Sequence, residues 1–187
     1  MNTEKDCTSS SKKTIPVSYI ILGVICIVSI LGIWVLRYFY HPVVVSGSSM
    51  YPTYSNEEIL STNPDFTSSN IKRGSVVYFY SDKLKMHLIK RVSAVPGDRI
   101  KIDDGILYVN GKAEDAEFPR IDDPGLFSKE SVVPENEYLM LGDNRNHSTD
   151  SRKIGLVHYD SIKGIVENRM FAGIFHFYKE TFSNERN

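Results

Sequence analysis

Cysteine is almost missing from this chain: among 187 residues only Cys7 and Cys26 occur, both within the first thirty positions. Everything downstream must hold its fold without a disulfide. The five histidines are also sparse, and none lies near Asp103–Asp104 or Asp122–Asp123, so those acidic pairs read as solvated turn carboxylates and no metal site is suggested. A surplus of one charge is lacking too. With 22 basic and 23 acidic residues the net charge is −1, which excludes the basic footprint of a nucleic-acid-binding domain. There is no internal repeat, and past residue 40 no segment keeps a helical period beyond a turn or two. What remains is a chain with 41% hydrophobic residues, enough for one domain with a core and too apolar for disorder.

One absence is local. Ile15 to Leu36 contains no charged residue at all, and these 22 positions as a helix would reach about 33 Å, the thickness of a bilayer's hydrocarbon core. The run predicts a transmembrane helix. Pro16 suits its first turn, Trp34, Tyr38, Phe39 and Tyr40 suit the far membrane interface, and Arg37 can extend its head group there. A cleaved signal peptide would have a shorter apolar run and a small-residue cutting site behind it. Lys5, Lys12 and Lys13 precede the run and only Arg37 follows closely, so the positive-inside rule places residues 1–14 in the cytoplasm and 37–187 outside. Removing the four basic and two acidic residues of positions 1–37 leaves 18 basic and 21 acidic over the remaining 150, a mildly acidic surface.

Beyond the anchor, short β-prone runs alternate with turn residues, the pattern of an all-β domain. Strands are expected at 43–46, 75–80, 86–95, 106–109, 138–141, 162–166 and 171–178. Asp104-Gly105 and Asn110-Gly111 flank ILYV and predict a hairpin or small meander over 99–113. From Lys112 to Pro134, charge, proline and glycine suggest a long surface loop or small insertion without visible chemistry. The apolar run Met170 to Tyr178 is too short to span a bilayer and reads as a strand, with contact at the membrane surface as the alternative.

Three polar segments interrupt this pattern. SGSSMYPT, residues 46–53, sets three serines against Met50 and Pro52; it is either a nucleophile loop or a flexible hinge. In HLIKRV, residues 87–92, strand alternation places Lys90 on the face of Leu88 and Val92, opposite His87, Ile89 and Arg91. An ammonium against apolar surface loses its proton more readily, so Lys90 is a candidate general base, although lysine stems often lie along strands with no such role. GDNRNHSTDSR, residues 142–152, is on residue type alone equally a solvated ionic loop.

Together and in this order after one membrane helix, SSMYPT, KRVSAVPGD and GDNRNHSTDSR resemble the motif boxes of bacterial type I signal peptidases. The resemblance implies a mainly β fold, an extracytoplasmic catalytic domain of antiparallel sheets behind a single N-terminal helix. It also implies a membrane-bound serine endopeptidase that removes N-terminal signal peptides from exported preproteins, cutting after small residues at positions −1 and −3. It makes Ser49 the nucleophile and Lys90 the base of a Ser–Lys dyad. Ser148 would orient the lysine amine, Asp150 and Arg152 would pair to hold the site, and Asp143, Asn144 and Arg145 would support it. Pro96, Gly97 and Asp98 would end the lysine strand. HPVVVS and KMHLIK would be the edges on which an extended substrate lies. No metal or organic cofactor is implied, and the partners expected are exported preproteins, membrane lipid and, indirectly, Sec-type secretion machinery. The sequence departs from the pattern at Gly47, where some members carry a hydroxyl residue that helps bind the oxyanion, and at Ala94, where many have glycine. His87 raises the endoplasmic-reticulum type, which uses histidine, but the lysine position is filled here. A self-cleaving repressor has a similar β-fold but would need a DNA-binding domain where the membrane helix lies. A catalytically inactive, membrane-tethered peptide-binding β-domain is the remaining alternative.

Overall fold

The structure is a computed structural model that describes residues 16–114 and 117–169. It divides into two units at Phe39–Tyr40. The first contains helix α1, Val17–Tyr40, whose 24 residues give a length of about 36 Å, enough to cross a membrane. Its described side chains are exposed along the whole helix, as expected of a surface solvated by lipid rather than by protein. Ser29 returns its hydroxyl to the Ile25 carbonyl at 2.9 Å, and Trp34 stacks on Tyr38 with ring centres 5.7 Å apart. The side chains at 36, 37, 39 and 40 and the basic residues before the helix lie outside the described residues.

The second unit is mainly β. Among the described residues eleven short strands form two antiparallel sheets: β1 (Pro42–Val44), β2 (Ile59–Asn63), β3 (Val76–Ser81), β4 (Met86–Ala94), β5 (Arg99–Asp103), β6 (Ile106–Val109), β7 (Lys112–Ala113), β8 (Ser131–Val132), β9 (Glu137–Leu141), β10 (Val157–His158) and β11 (Ile162–Arg169). The larger sheet runs β1-β2-β11-β3-β4-β9-β10 and the smaller β7-β6-β5-β8. The hairpin turns of the smaller sheet fall at Asp104-Gly105 and Asn110-Gly111, where all four residues have positive φ, the conformation that a two-residue turn between twisted strands requires.

Period-2 alternation decides what each strand buries. In β9, Tyr138 and Met140 pack with Val77, Phe79 and Val92, while Leu139 and Leu141 pack with Ile100, Leu107 and Val109 under the smaller sheet. A third cluster joins Met50 to Val45, Leu60, Val76 and Ile89. The ILSTN strand β2 has no counterpart among the strands expected from the sequence; its Ser61 and Thr62 are buried in the sheet, and the Thr62 hydroxyl donates to the His41 carbonyl at 2.8 Å. Residues 112–134 are not a bare surface loop, since Ile121, Phe127 and Val133 are buried in the core and two strands lie within the segment. The strand expected at 171–178 lies outside the described residues.

Candidate active site

The site forms where β9 leaves β4. These strands pair only from Arg91 opposite Leu141 to Ala94 opposite Leu139, so Met86–Lys90 has β3 on one side and, among the described residues, no strand on the other. At that point Gly142 begins the third polar segment, and the serine loop takes up the space beside it. The Asn144 N–H donates to the Ser49 carbonyl at 3.1 Å, and the Asn144 side-chain amide donates to the Ser48 carbonyl at 3.1 Å. The loop is anchored from below by Met50, which is 1% exposed, so its neighbour Ser49 is fixed at the surface of the core. Ser46 and Ser48 are exposed.

Gly142 has no room for a side chain. A Cβ there would lie 2.2 Å from Ser148 Oγ and 2.5 Å from the Ser49 carbonyl oxygen. This requirement follows from backbone approach alone and no residue-type pattern displays it. Gly47 is constrained differently: its φ is +89°, its N–H donates to Asn56 Oδ1 at 2.7 Å, and open space surrounds its missing Cβ. The conformation, not crowding, favours glycine where a hydroxyl residue was expected.

Lys90 is 2% exposed. Its Nζ donates to Ser49 Oγ at 2.7 Å and to the Ile89 carbonyl at 2.9 Å. Burial lowers its pKa from the ordinary 10.5 to about 8, against the upward pull of the Asp150 and Asp143 carboxylates. Those two carboxylates are themselves engaged by arginines. Arg91 grips Asp143 with Nε at 2.8 Å and Nη2 at 2.7 Å, tying β4 to the end of β9, and its own pKa is raised by that bond. Arg152 grips Asp150 with Nε at 2.8 Å and Nη2 at 2.7 Å. Asp150 also caps α2 (Ser151–Ile154) and accepts the Gly142 N–H at 3.0 Å.

Other residues named from the sequence fall elsewhere. Ser148 is buried beside Gly142, but its hydroxyl has no hydrogen-bond partner among the described residues; the donors of Lys90 turn to Ser49 and the Ile89 carbonyl, so the expected bond between Ser148 and the amine is not formed. Gly97 takes φ +84° in the turn after β4, and Asp98 closes that turn by accepting the Val95 N–H at 2.9 Å, Asn110 Nδ2 at 2.9 Å and the Arg73 guanidinium. Pro96 lies in the same turn and Pro52 is exposed beside Tyr51. His87 is exposed and stacks on Tyr78 with centroids 4.8 Å apart. Arg145, 2% exposed, is held by both oxygens of Glu114, a residue that no sequence motif singles out.

A hydroxyl thus lies 2.7 Å from a desolvated amine on a mainly β unit that follows a membrane-length helix in the chain. The comparisons point to one family. The family described as "Signal peptidase, peptidase S26" matches residues 17–171. Signal peptidase IB of Staphylococcus aureus (strain COL) is 34% identical over 162 residues, covering 77% of this chain and 83% of that protein. Signal peptidase I T of Bacillus subtilis (strain 168) is 34% identical over 176 residues, covering 87% and 88%. A solved signal peptidase I from Enterococcus faecalis V583 aligns with 25% identity and a TM-score of 0.42, over 51% of this chain and 96% of that one. The chain belongs to the signal peptidase family, peptidase S26.

Proposed function

We propose that this protein is a membrane-anchored serine endopeptidase that removes signal peptides from exported preproteins, with Ser49 as nucleophile and Lys90 as general base. The observation that carries the assignment of residues is the 2.7 Å contact between Ser49 Oγ and the Nζ of a buried Lys90. With the amine neutral the same contact reverses, the Ser49 hydroxyl donating to Nζ. Lys90 takes the proton as Ser49 Oγ attacks the scissile carbonyl, then returns it to the leaving amine and activates water for deacylation. The Ser49 N–H makes no hydrogen bond within the described residues, which leaves it available as the oxyanion donor in this reading. Nothing in these steps calls for a metal or organic cofactor.

An extended substrate segment supplies a strand along the unpaired edge Met86–Lys90, with β1 as a second edge. Small residues at −1 and −3 then face the sheet while the intervening one points away. The helix confines enzyme and substrate to one membrane surface, with the N-terminus cytoplasmic, the β-domain outside, membrane lipid as a direct partner and the Sec-type machinery as an indirect one.

The test is cleavage of a membrane-embedded preprotein with an Ala-x-Ala site by the full chain in detergent. Ser49→Ala and Lys90→Ala should each lower kcat by about 10⁴-fold or more, whereas Ser46→Ala and Ser48→Ala remain within a few-fold of wild type. Cleavage that persists in the Ser49 or Lys90 variants refutes the assignment, and a wild type that binds without cutting returns the peptide-binding alternative.

A further inference from the structure

The segment between β7 and β9 touches the third polar segment at four places. Both Glu114 oxygens accept from the Arg145 guanidinium, Nη2 at 2.9 Å. The Phe118 ring lies 4.2 Å from Arg145 Cζ. Asn146 bridges backbone, its Nδ2 donating to the Arg120 carbonyl at 3.0 Å and its Oδ1 accepting the Asp122 N–H at 3.0 Å. Gly125, with φ +56°, packs so closely on Arg152 that a Cβ would lie 2.3 Å from the Arg152 carbonyl oxygen.

These contacts are in series with the dyad. Arg145 Nε has no partner among the described residues, within which Glu114 and Phe118 are the groups that face this buried cation's guanidinium. The Arg145 carbonyl accepts from Arg152 Nη2 at 2.5 Å. Arg152 holds Asp150, Asp150 holds the Gly142 N–H, and Gly142 abuts the Ser49 carbonyl. We infer that Glu114 is a positioning residue for peptide-bond cleavage: by neutralising and fixing Arg145 it keeps the Arg152–Asp150 pair aligned beneath the nucleophile loop and the base. This rests on the reading of Ser49 and Lys90 given above. Four charged groups surround the amine's environment, Asp150 and Asp143 acting on it directly and Arg152 and Arg91 muting them. Loosening Arg145 frees Arg152 from Asp150, leaves that carboxylate less compensated and raises the proton affinity of Lys90.

The experiment compares kcat and KM across pH for the full chain in detergent, using the preprotein substrate. Glu114→Gln lowers kcat about tenfold, leaves KM within about twofold and moves the ascending limb of kcat/KM to higher pH by roughly half a unit. Because an unpaired buried cation also threatens folding, Phe118→Leu provides a milder probe that moves the same limb in the same direction by less. Arg73→Gln, which cuts the Arg73–Asp98 pair at the distant turn, is the structural control: it lowers the unfolding temperature without moving the limb. The inference is overturned if the limb stays in place in both Glu114→Gln and Phe118→Leu, or moves equally in Arg73→Gln. Activity surviving Ser49→Ala would instead remove the site reading beneath it, and the inference with it.

Discussion

Lys90→Met should abolish cleavage and yet stabilise the fold at neutral pH. The folded-state pKa of Lys90 is lowered to about 8 from 10.5, so the unfolded chain binds this proton more tightly. Below about pH 8 both states are protonated and burial of the charge carries its full cost, which for a gap of this size is about 3 kcal/mol. Between about pH 8 and 10.5 the folded state has released the proton and the unfolded state has not, so wild-type stability rises with pH through that window. Methionine has no such slope. The substitution also deletes two hydrogen bonds from Nζ, each worth about 1 kcal/mol, which offsets part of the gain at neutral pH; their change as the amine loses its proton is already contained in the folded-state pKa. The advantage of Lys90→Met should therefore shrink by about 2 to 3 kcal/mol from roughly pH 7 to pH 10, or by about 4 to 12 °C in the difference of unfolding temperatures. Thermal unfolding of both full-length proteins in the same detergent measures it. Parallel curves over this range would refute the claim that Lys90 is buried at the expense of its charge.

The same shift predicts an ascending limb of kcat/KM centred at about 8; a limb near 10.5 would mean a solvated amine. At pH 7 the lower value leaves about one lysine in ten neutral, some 300-fold more than an ordinary lysine offers. Gly142→Ala should inactivate the enzyme, because the added methyl group meets Ser148 Oγ and the Ser49 carbonyl at once; wild-type kcat in this variant would contradict the geometry. Gly47→Ser should not raise activity despite restoring a hydroxyl, and should lower the unfolding temperature by a few degrees, since the cost of about 1 kcal/mol comes from φ +89° rather than from a clash. A gain in kcat would show that the loop can relax and that a second oxyanion donor was missing.

The parts of this molecule legible in its sequence are those whose cause is local. Absence of charge marks α1, positive-φ dipeptides mark the turns of the smaller sheet, and strand alternation puts Lys90 beside Leu88 and Val92. The pairing of Ser49 with Lys90, 41 residues apart, needed the ordered motif boxes, since neither residue is informative alone. What escaped was set by distant chain. Glu114 lies 31 residues from Arg145, in a run whose charge and proline look like solvent-facing loop, and the buried hydroxyl strand β2 is stabilised by neighbours it cannot announce. Ser148 shows a further limit: a motif position does not say which partner a hydroxyl takes, because that depends on where the lysine's donors turn.

If the substrate lies along Met86–Lys90 with Ser49 as nucleophile, as proposed, the point at which β9 leaves β4 also limits what the enzyme can receive. Main-chain N–H and C=O groups are alike in every polypeptide, so an edge of five residues distinguishes little by sequence and instead demands length: about 17 Å of straightened chain beside the bond to be cut. A preprotein whose helix runs on through that stretch must unravel first, and one whose mature domain has already folded up to the junction cannot reach Ser49. Timing of export relative to folding, rather than residue identity alone, then decides which junctions are cut.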